Sequence, residues 1–373
     1  MQEQVDWNNF KNILCIRVDN IGDVLMTVPA IIGLKESVKE RRITLLASRT
    51  GSSIAKHIPQ IDDIIEFDPL WEKNEEESPG KSAFEVIERI KEKQFDAAVI
   101  FTVYSQNPLP AAMLCYLAGI SRVAGYCREN PYKLITDWLP DQEPLYEIKH
   151  EVIRQVDLVQ ALGATVENNS FSLKIAENIL RNVSDKIANL GVLVEKPWLI
   201  IHPGVSEQKR QYPVELFVEA AKMIITEFGY QVVLTGAEYE KEHADHIAGM
   251  IGKNAYSLAG KLDMEELIAL ITLSPLLIAN NTGPVHIAAA VQTPVIVLYA
   301  LTNPQHAPWN VKHLVLPFDV PIEIRSRNTI ISYAYEKSFT KTPEMVKPDE
   351  IVQAVKKIMS GEVSIEQTKT VML

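Results

Sequence analysis

The sequence lacks an excess of basic residues, which would be the mark of a nucleic-acid-binding protein. Its 37 Lys and Arg residues face 48 Asp and Glu residues, so the formal net charge is -11. Nucleic-acid binding requires a concentrated basic surface, and this balance therefore argues against nucleic acid as the main partner. An anionic ligand would have to be bound by local positive charges.

Features of membrane insertion and secretion are also missing. No stretch reaches the length of about 20 apolar residues that spans a bilayer, and the start MQEQVDWNNFKN has no basic segment ahead of an apolar core. The three cysteines, Cys15, Cys115 and Cys127, show neither metal-ligand spacing nor an even-numbered disulfide framework. These absences predict a cytoplasmic protein with reduced thiols.

The common phosphate-binding fingerprints are absent too. The chain has no G-x-G-x-x-G after its first predicted strand and no G-x-x-x-x-G-K-[ST]. It has no Asp-x-Asp and no His/Cys cluster with the spacing of metal ligands. We therefore expect no cofactor and no metal.

What is present is a repeated alternation of short apolar runs with amphipathic helical patterns. The runs ILCIRV, ITLLAS and FDAAVIF alternate with helices, and a second series begins at PWLIIHPG. Continuous apolar strands separated by helices predict parallel sheets covered on both faces, and 373 residues suit two domains. We predict an α/β protein with two Rossmann-like domains at 1–170 and 196–345, a linker region at 171–195, and a C-terminal helix and tail at 346–373 that packs toward the N-terminal domain. The polar segment 71–81 is predicted to be a surface loop, and the tail after Gly361 to be loosely ordered.

Asp23 is the first candidate functional residue. It lies in RVDNIGDVLMTVPA, where a strand end runs through Gly22 into a helix. Ligands of open α/β sheets bind at the carboxyl ends of strands, so a carboxylate here is placed to accept a proton from a substrate hydroxyl. The same carboxylate is equally suited to capping the helix, and both interpretations remain open.

A second motif, HPGVSEQKRQYPVE, places small residues and two cations after a strand. Ser206 can donate to a phosphate, and the planar guanidinium of Arg210 can span two phosphate oxygens. A solvated basic pair is the alternative. Glu238 follows the strand QVVLTGA, where it either binds the hydroxyls of a ribose or only stabilises the first turn of a helix.

The third motif, LLIANNTGPVHIAAAVQ, is a strand that ends at Asn281 and Thr282 before Gly283 opens a helix of small residues. The free N–H groups and positive dipole end of such a helix favour a diphosphate. His286, in the first turns, is either a further contact or a structural histidine.

Taken in order, these motifs resemble glycosyltransferase family 9, the ADP-heptose:lipopolysaccharide heptosyltransferases and their relatives. The likeness covers residues 11–360 and includes SQNPLPAAMLCYLAGISRVAGY, HEVIRQVDLVQALG, LTGAE and LAGKLDMEELIALI. It implies the GT-B fold, two Rossmann-like domains facing each other across a cleft, and metal-independent inverting transfer of heptose or a related sugar. The implied partners are a nucleotide-sugar donor such as ADP-heptose and a saccharide or glycolipid acceptor of cell-envelope or lipopolysaccharide biosynthesis. The family acts at the inner face of the cytoplasmic membrane, so peripheral contact with that membrane is a further expectation.

The resemblance also implies roles for individual residues. Asp23 matches the general base that activates the acceptor hydroxyl. The implied donor contacts are Ser206 and Arg210 at the phosphates, Glu238 at the ribose, Leu262 beside the base, and Asn281, Thr282, Gly283 and His286 around the sugar and diphosphate. The acceptor side is expected to involve Tyr104, Gln106, Arg122 and Arg128.

Two positions depart from the family pattern. Arg210 stands where many members have lysine, which keeps the charge and changes its geometry. Asn281 stands where the family commonly has aspartate, which removes a negative charge close to the sugar. A binding protein without turnover and a nucleotide-sugar epimerase on the same scaffold therefore stay as alternatives.

Overall fold

The chain folds into two compact units, each with its own sheet and core. The structure, a computed structural model, describes residues 6–71, 80–171, 173–300, 304–325, 327–338, 344–365 and 370–372. Unit 1 comprises Met1–Leu173, Asn328–Ala334 and Lys369–Leu373, and unit 2 comprises Lys174–Arg327 and Tyr335–Thr368.

Unit 1 is a doubly wound α/β unit. Its strands are β1 (Asn12–Arg17), β2 (Arg42–Ala47), β3 (Asp63–Glu66), β4 (Ala97–Ile100), β5 (Val123–Cys127), β6 (Asp137–Pro140) and β7 (Glu147–Lys149), and its helices are α1 (Ile21–Ser37), α2 (Arg49–Ala55), α3 (Gly80–Glu92), α4 (Leu109–Leu117) and α5 (Glu151–Ala161). The first six strands form one parallel sheet in the order β3-β2-β1-β4-β5-β6. Helices α1 and α5 pack on each other.

Unit 2 repeats this plan. Its helices are α6 (Glu177–Asn189), α7 (Val214–Phe228), α8 (Lys241–Ile251), α9 (Met264–Leu273) and α10 (Gly283–Val291), and its strands are β8 (Trp198–His202), β9 (Gln231–Leu234), β10 (Ala255–Ser257), β11 (Leu277–Asn280), β12 (Val295–Ala300) and β13 (His313–Phe318). The strand order is β10-β9-β8-β11-β12-β13, again parallel throughout. Three elements follow: α11 (Thr329–Ser338), α12 (Pro348–Met359) and β14 (Thr370–Met372).

The strand sequences are continuous apolar runs because helices cover both faces of each sheet. Every residue of the runs Ile13–Ile16 and Leu277–Ala279 is buried. Helix ends follow local chemistry: Asp263 and Glu266 close a capping box at the start of α9, and Gly229, at φ +69°, ends α7 in the left-handed region.

Both sheets share one topological property that matters for ligands. In each, the first strand lies at the centre, and the chain moves outward in one direction and then returns to build the other side. The reversal falls between β1 and β4 in unit 1 and between β8 and β11 in unit 2. In doubly wound sheets, ligands bind at the carboxyl edge beside such a reversal.

The C-terminal helix and tail, which were predicted to pack together toward the N-terminal domain, belong to different units. Helix α12 packs on α7 and places Ile351, Val352, Val355 and Ile358 in the core of unit 2, whereas β14 belongs to unit 1. The tail is not loosely ordered throughout, because β14 pairs antiparallel with β7 in unit 1.

The predicted linker region at 171–195 contains a helix. Helix α6 packs on α9, buries Val183 and Ile187, and pairs Lys186 with Glu266 at 2.5 Å. The region therefore belongs mostly to unit 2.

The predicted loop at 71–81 lies mostly outside the described residues. In the part of the chain that the structure describes, none of the helices combines the length and apolar composition needed to cross a bilayer.

Candidate functional site

Asp23 lies at the carboxyl edge of the unit 1 sheet, in the first turn of the helix that follows β1. Asp23 is the third residue of α1, and its Oδ2 accepts a hydrogen bond from the backbone N–H of Asn20 at 3.3 Å. Its Oδ1 accepts a hydrogen bond from Nη2 of Arg17 at 3.2 Å. The side chain is 18% exposed. Asp23 therefore does cap the helix, and its carboxylate also reaches the surface of the unit.

Arg17 ends β1 as a fully buried cation. Besides Asp23, it forms ion pairs with Asp19, from Nε at 2.6 Å, and with Glu151 on α5, from Nη1 at 2.8 Å. Burial lowers the pKa of Arg17, but the three neighbouring carboxylates outweigh it and the pKa is raised. The guanidinium of Arg17 thus stays charged, and this single cation pairs with three carboxylates.

Glu151 is the first residue of α5 and is completely buried. Its Oε1 accepts a hydrogen bond from Gln155 at 2.6 Å, and Gln155 also donates to the carbonyl of Thr102 at 3.0 Å. Burial raises the pKa of Glu151, and the nearby Arg17 and Arg154 oppose that rise. A buried carboxylate is tolerated here because it is paired with a cation.

A second buried arginine, Arg154, lies one turn further along α5. It contacts both oxygens of Asp141, at 2.9 and 3.1 Å, and donates to Glu143 at 2.6 Å. Its Nε donates to the carbonyl of Thr102 at 2.9 Å, and its guanidinium lies 4.3 Å from the ring centre of Tyr126. Burial nevertheless raises the pKa of Glu143 to about 7.

The predicted acceptor residues are partly used by this network. Gln106 donates to Asp19 and accepts from the N–H of Val103. Arg128 donates to the carbonyl of Tyr104 at 2.6 Å and to the carbonyl of Glu143 at 2.7 Å. All three predicted residues after β4 and β5 therefore lie at the same edge as Asp23, although their contacts are largely internal.

Tyr104 itself is buried beside Ile148 and Ala334. Burial raises its pKa to about 12, so its hydroxyl stays protonated. Its side chain contributes to packing in unit 1.

Arg122 does not belong with these residues. It precedes β5, whereas Arg128 follows it, so Arg122 lies at the amino edge of the sheet and 4.0 Å from Asp137. In a parallel sheet this is the edge opposite Asp23. Arg122 therefore lies apart from the other three predicted acceptor residues, and its acceptor role stays a prediction.

Sequence reasoning missed Arg17, Glu151 and Arg154 as functional candidates. A signal was present, because charged residues occupy the buried face of the helix HEVIRQVDLVQ and the end of the apolar strand ILCIR. Buried charges are rare unless paired, so charges at core positions of predicted elements point to a polar network.

The loop after β8 is held in unit 2 by Asn280 at the end of β11. Its side chain donates to the carbonyl of Pro203 at 2.7 Å and accepts from the N–H of Tyr212 at 3.1 Å. Ser206 is exposed in this loop. Arg210, 36% exposed, lies 3.6 Å from Glu207, which also pairs with Lys209. The predicted phosphate contacts thus sit at the carboxyl edge, beside one carboxylate.

Helix α10 begins at Gly283, as predicted, and its start lies next to this loop. Thr282 is its N-cap residue, its hydroxyl donates to the carbonyl of Asn280 at 3.3 Å, and Gly283 and Pro284 form the first turn. Asn281 and His286 are buried at the start of the helix. The loops after β8 and β11 therefore meet at the strand reversal of unit 2.

Two glutamates follow β9, and they differ in surroundings. Glu240 accepts the N–H of Ala237 at 2.7 Å and a backbone hydrogen bond from Val205, and its carboxylate occupies the space that a Cβ on Gly204 would need. Burial raises its pKa. Glu238 is exposed and lies over Gly260. The second carboxylate, Glu240, was missed by the sequence reasoning.

Leu262 is half-buried in the turn before α9. Among the residues that the structure describes, none of the groups of His, Cys, Asp and Glu is arranged to hold a metal ion.

Two solved structures share the fold over nearly the whole chain. A family 9 glycosyl transferase from Veillonella parvula gives a TM-score of 0.76 at 18% identity, covering 96% of this chain and 99% of its own. The E. coli ADP-heptose LPS heptosyltransferase II gives 0.72 at 19% identity, covering 94% and 99%. The predicted fold class, the two-Rossmann GT-B fold of glycosyltransferases, is confirmed.

Sequence comparison then identifies the family. The family model for glycosyltransferase family 9 (heptosyltransferase) matches residues 83–337. Lipooligosaccharide heptosyltransferase 2 of Haemophilus influenzae is 27% identical over 318 residues, which are 80% of this chain and 85% of the relative. Lipopolysaccharide heptosyltransferase 3 of Escherichia coli is 27% identical over 299 residues, 77% and 81% of the two chains. This chain belongs to glycosyltransferase family 9 and is a glycosyltransferase.

Proposed function

We propose that the enzyme transfers heptose or a related sugar from a nucleoside-diphosphate donor, with ADP-heptose as the first candidate, to a saccharide or glycolipid of the cell envelope. Relatives named as lipopolysaccharide and lipooligosaccharide heptosyltransferases support this choice. Contact with the inner face of the cytoplasmic membrane is part of the proposal, because such an acceptor is anchored there.

The observation that carries the proposal is the setting of Asp23. Its carboxylate is held by Arg17 and by the first turn of α1, at the strand reversal where doubly wound sheets bind ligands. In the proposed step, Asp23 accepts the proton of an acceptor hydroxyl as the hydroxyl oxygen bonds to the anomeric carbon. The bond from that carbon to the diphosphate breaks with its electron pair, and the configuration inverts.

The donor is proposed to bind the carboxyl edge of unit 2. The diphosphate would lie at the start of α10, against the N-cap residue Thr282 and against Gly283 and His286 of the first turns. Asn281 would lie beside the sugar. Ser206 and Arg210 would bind the phosphates from the loop after β8, and Leu262 would contact the base. These donors, in place of a metal, would stabilise charge on the departing diphosphate.

Glu238 is proposed to bind the ribose, since its exposed carboxylate follows β9. Glu240 is the matched comparison, because its carboxylate is engaged by backbone N–H groups. We expect Glu238→Gln to reduce the preference for ADP over 2′-deoxy-ADP and Glu240→Gln to leave it intact. If instead Glu240→Gln reduced this preference and Glu238→Gln did not, Glu240 would be the residue that binds the ribose.

The deciding experiment is a transfer assay with ADP-heptose and a lipopolysaccharide-core acceptor, with and without EDTA. Asp23→Asn should lower kcat by about 10²- to 10⁴-fold, the usual contribution of a general base, with donor affinity retained in calorimetry. Full turnover by this variant would remove Asp23 from the mechanism. Donor consumption without acceptor would indicate an epimerase, and donor binding without any turnover a binding protein.

A further inference from the structure

Arg17 presents a chemical problem for the proposed reaction. A guanidinium beside a carboxylate favours the ionised form and lowers its proton affinity. Nη2 of Arg17 lies 3.2 Å from Oδ1 of Asp23. Taken alone, this contact would orient the base and at the same time weaken it.

Glu151 compensates the positive charge of Arg17 from the buried side of the guanidinium. Its Oε1 lies 2.8 Å from Nη1 of the same guanidinium, and both side chains are completely buried. Arg17 ends β1 and Glu151 begins α5, so the pair joins that strand to the helix that packs on α1, next to Asp23. Glu151 is too deeply buried to meet a substrate, so any effect on the reaction must pass through Arg17.

We propose that Glu151 is a positioning residue for sugar transfer: it anchors Arg17 and compensates its charge, so that Arg17 orients the Asp23 carboxylate while that carboxylate remains basic enough to take a proton. The inference rests on the proposed function of Asp23 as general base. It assigns to the buried pair a role in turnover in addition to its role in packing.

Other charged side chains lie near this pair or on the elements packed against it. Asp19 lies 2.6 Å from Nε of the guanidinium and adds to the compensation. Arg154, on α5, is held by its own acidic partners and opposes part of the negative charge. Arg49 is the charged residue of α2, and its exposed side chain lies beside Glu66 and Asp68. Removing the carboxylate of Glu151 therefore takes away part of the negative charge that compensates Arg17, and it leaves the protein surface unaltered because Glu151 is completely buried.

The test is the pH profile of kcat for the full-length enzyme carrying Glu151→Gln. The amide keeps an oxygen for Arg17 and removes the charge, so the base becomes weaker. We expect the acid limb of the profile to move down by about one pH unit or more, with kcat on the plateau reduced about three- to tenfold. The KM values for donor and acceptor should change less than about twofold, because the binding contacts remain.

Asp157→Asn is the matched control, since it removes one carboxylate from the same helix, where it pairs with Lys149 at 2.7 Å. Its pH profile should superimpose on that of the wild type. Asp23→Asn is assayed in parallel to separate the two hypotheses. Full activity of Asp23→Asn would refute the general base, whereas an inactive Asp23→Asn together with a wild-type profile for Glu151→Gln would overturn the present inference alone.

A double variant, Arg17→Met with Glu151→Leu, covers the case in which Glu151→Gln fails to fold. Replacing a whole buried ion pair by apolar residues is often neutral for stability, whereas removing one partner is costly. We expect the folded double variant to keep both KM values and to lose at least about tenfold in kcat, because Asp23 loses its orienting donor. Wild-type kcat in the double variant would show that the pair serves packing only.

Discussion

At the scale of single residues, Glu207 partly neutralises the two cations of the loop after β8. It pairs with both Lys209 and Arg210, so a diphosphate arriving there competes with a carboxylate for the same cations. Arg210→Ala should weaken donor binding by about 1.5 to 3 kcal/mol, the scale of a charged hydrogen bond, in calorimetry. An unchanged affinity would place the phosphates elsewhere.

Glu207→Gln should act in the opposite direction. Removing the competing charge is expected to tighten donor binding about two- to fivefold at low salt, the scale of an exposed ion pair, and less at high salt. Glu227→Gln, at the far end of α7, is a control with the same change of charge. Equal effects of the two variants would indicate general electrostatics in place of a local competition.

His202, the last residue of β8, links pH to the stability of unit 2. Burial lowers its pKa to about 4, and its Nδ1 lies 3.0 Å from the hydroxyl of Thr235. The unfolded chain therefore binds a proton first as the pH falls, and stability that is present above about pH 6.5 is lost toward pH 4. Relative to His202→Asn, the wild type should lose about 3 kcal/mol of unfolding free energy between pH 7 and pH 4.

The comparison with His202→Asn in urea titrations cancels groups common to both proteins, including Glu143. Thr235→Val is a useful control because it removes the hydroxyl and leaves the imidazole. It should keep the wild-type pH dependence, and a difference between wild type and His202→Asn that is constant with pH would refute the assignment.

At the scale of elements, α12 is a part of the unit 2 core. Its buried Ile and Val side chains, Ile351, Val352, Val355 and Ile358, each contribute about 1.5 to 3 kcal/mol. The hydroxyl of Tyr212 donates to the carbonyl of Val346, just before the helix, at 2.6 Å. A chain that stops after Val346 should therefore lose the cooperative unfolding of unit 2. A chain that stops after Gly361 should keep it, as followed by circular dichroism in urea, and identical transitions in the two truncations would contradict this role of α12.

The elements also show what could be predicted from sequence. Helix α10 was predictable because Gly283 and Pro284 follow an apolar strand after only two polar residues, Asn281 and Thr282. Helix α6 was overlooked because its apolar residues, Ile179, Val183 and Ile187, are widely spaced among polar ones, although their spacing is helical.

Site residues were harder to predict, because their partners are distant in sequence. The pairing of Arg17 with Glu151 depends on the packing of α1 against α5, which no local pattern reveals. Arg122 and Arg128 are close in the sequence, but β5 separates them by roughly 16 Å, at about 3.3 Å per strand residue. Short sequence separation therefore suggested a proximity that an extended strand does not allow.

At the scale of the whole molecule, the two units should respond differently to nucleotide. ADP at about 100 times its Kd should stabilise the state that binds it by about 2.7 kcal/mol. In hydrogen exchange, this stabilisation should appear as slower exchange of the amides at the binding site. We expect protection in peptides covering 203–210, 236–241 and 281–287. Protection of 17–24 by ADP alone would contradict a donor site confined to unit 2.

The course of the chain has a practical consequence for dissecting this enzyme. After Arg327 the polypeptide returns to unit 1 twice, at Asn328–Ala334 and at Lys369–Leu373, where β14 pairs with β7. A protease nick between Leu173 and Lys174 would therefore leave fragments that still copurify, and a chimaera that joins the first 173 residues to the second unit of a relative would lack two segments of its own unit 1. Exchanging unit 2 between relatives while keeping unit 1 intact requires four junctions, at 173/174, 327/328, 334/335 and 368/369.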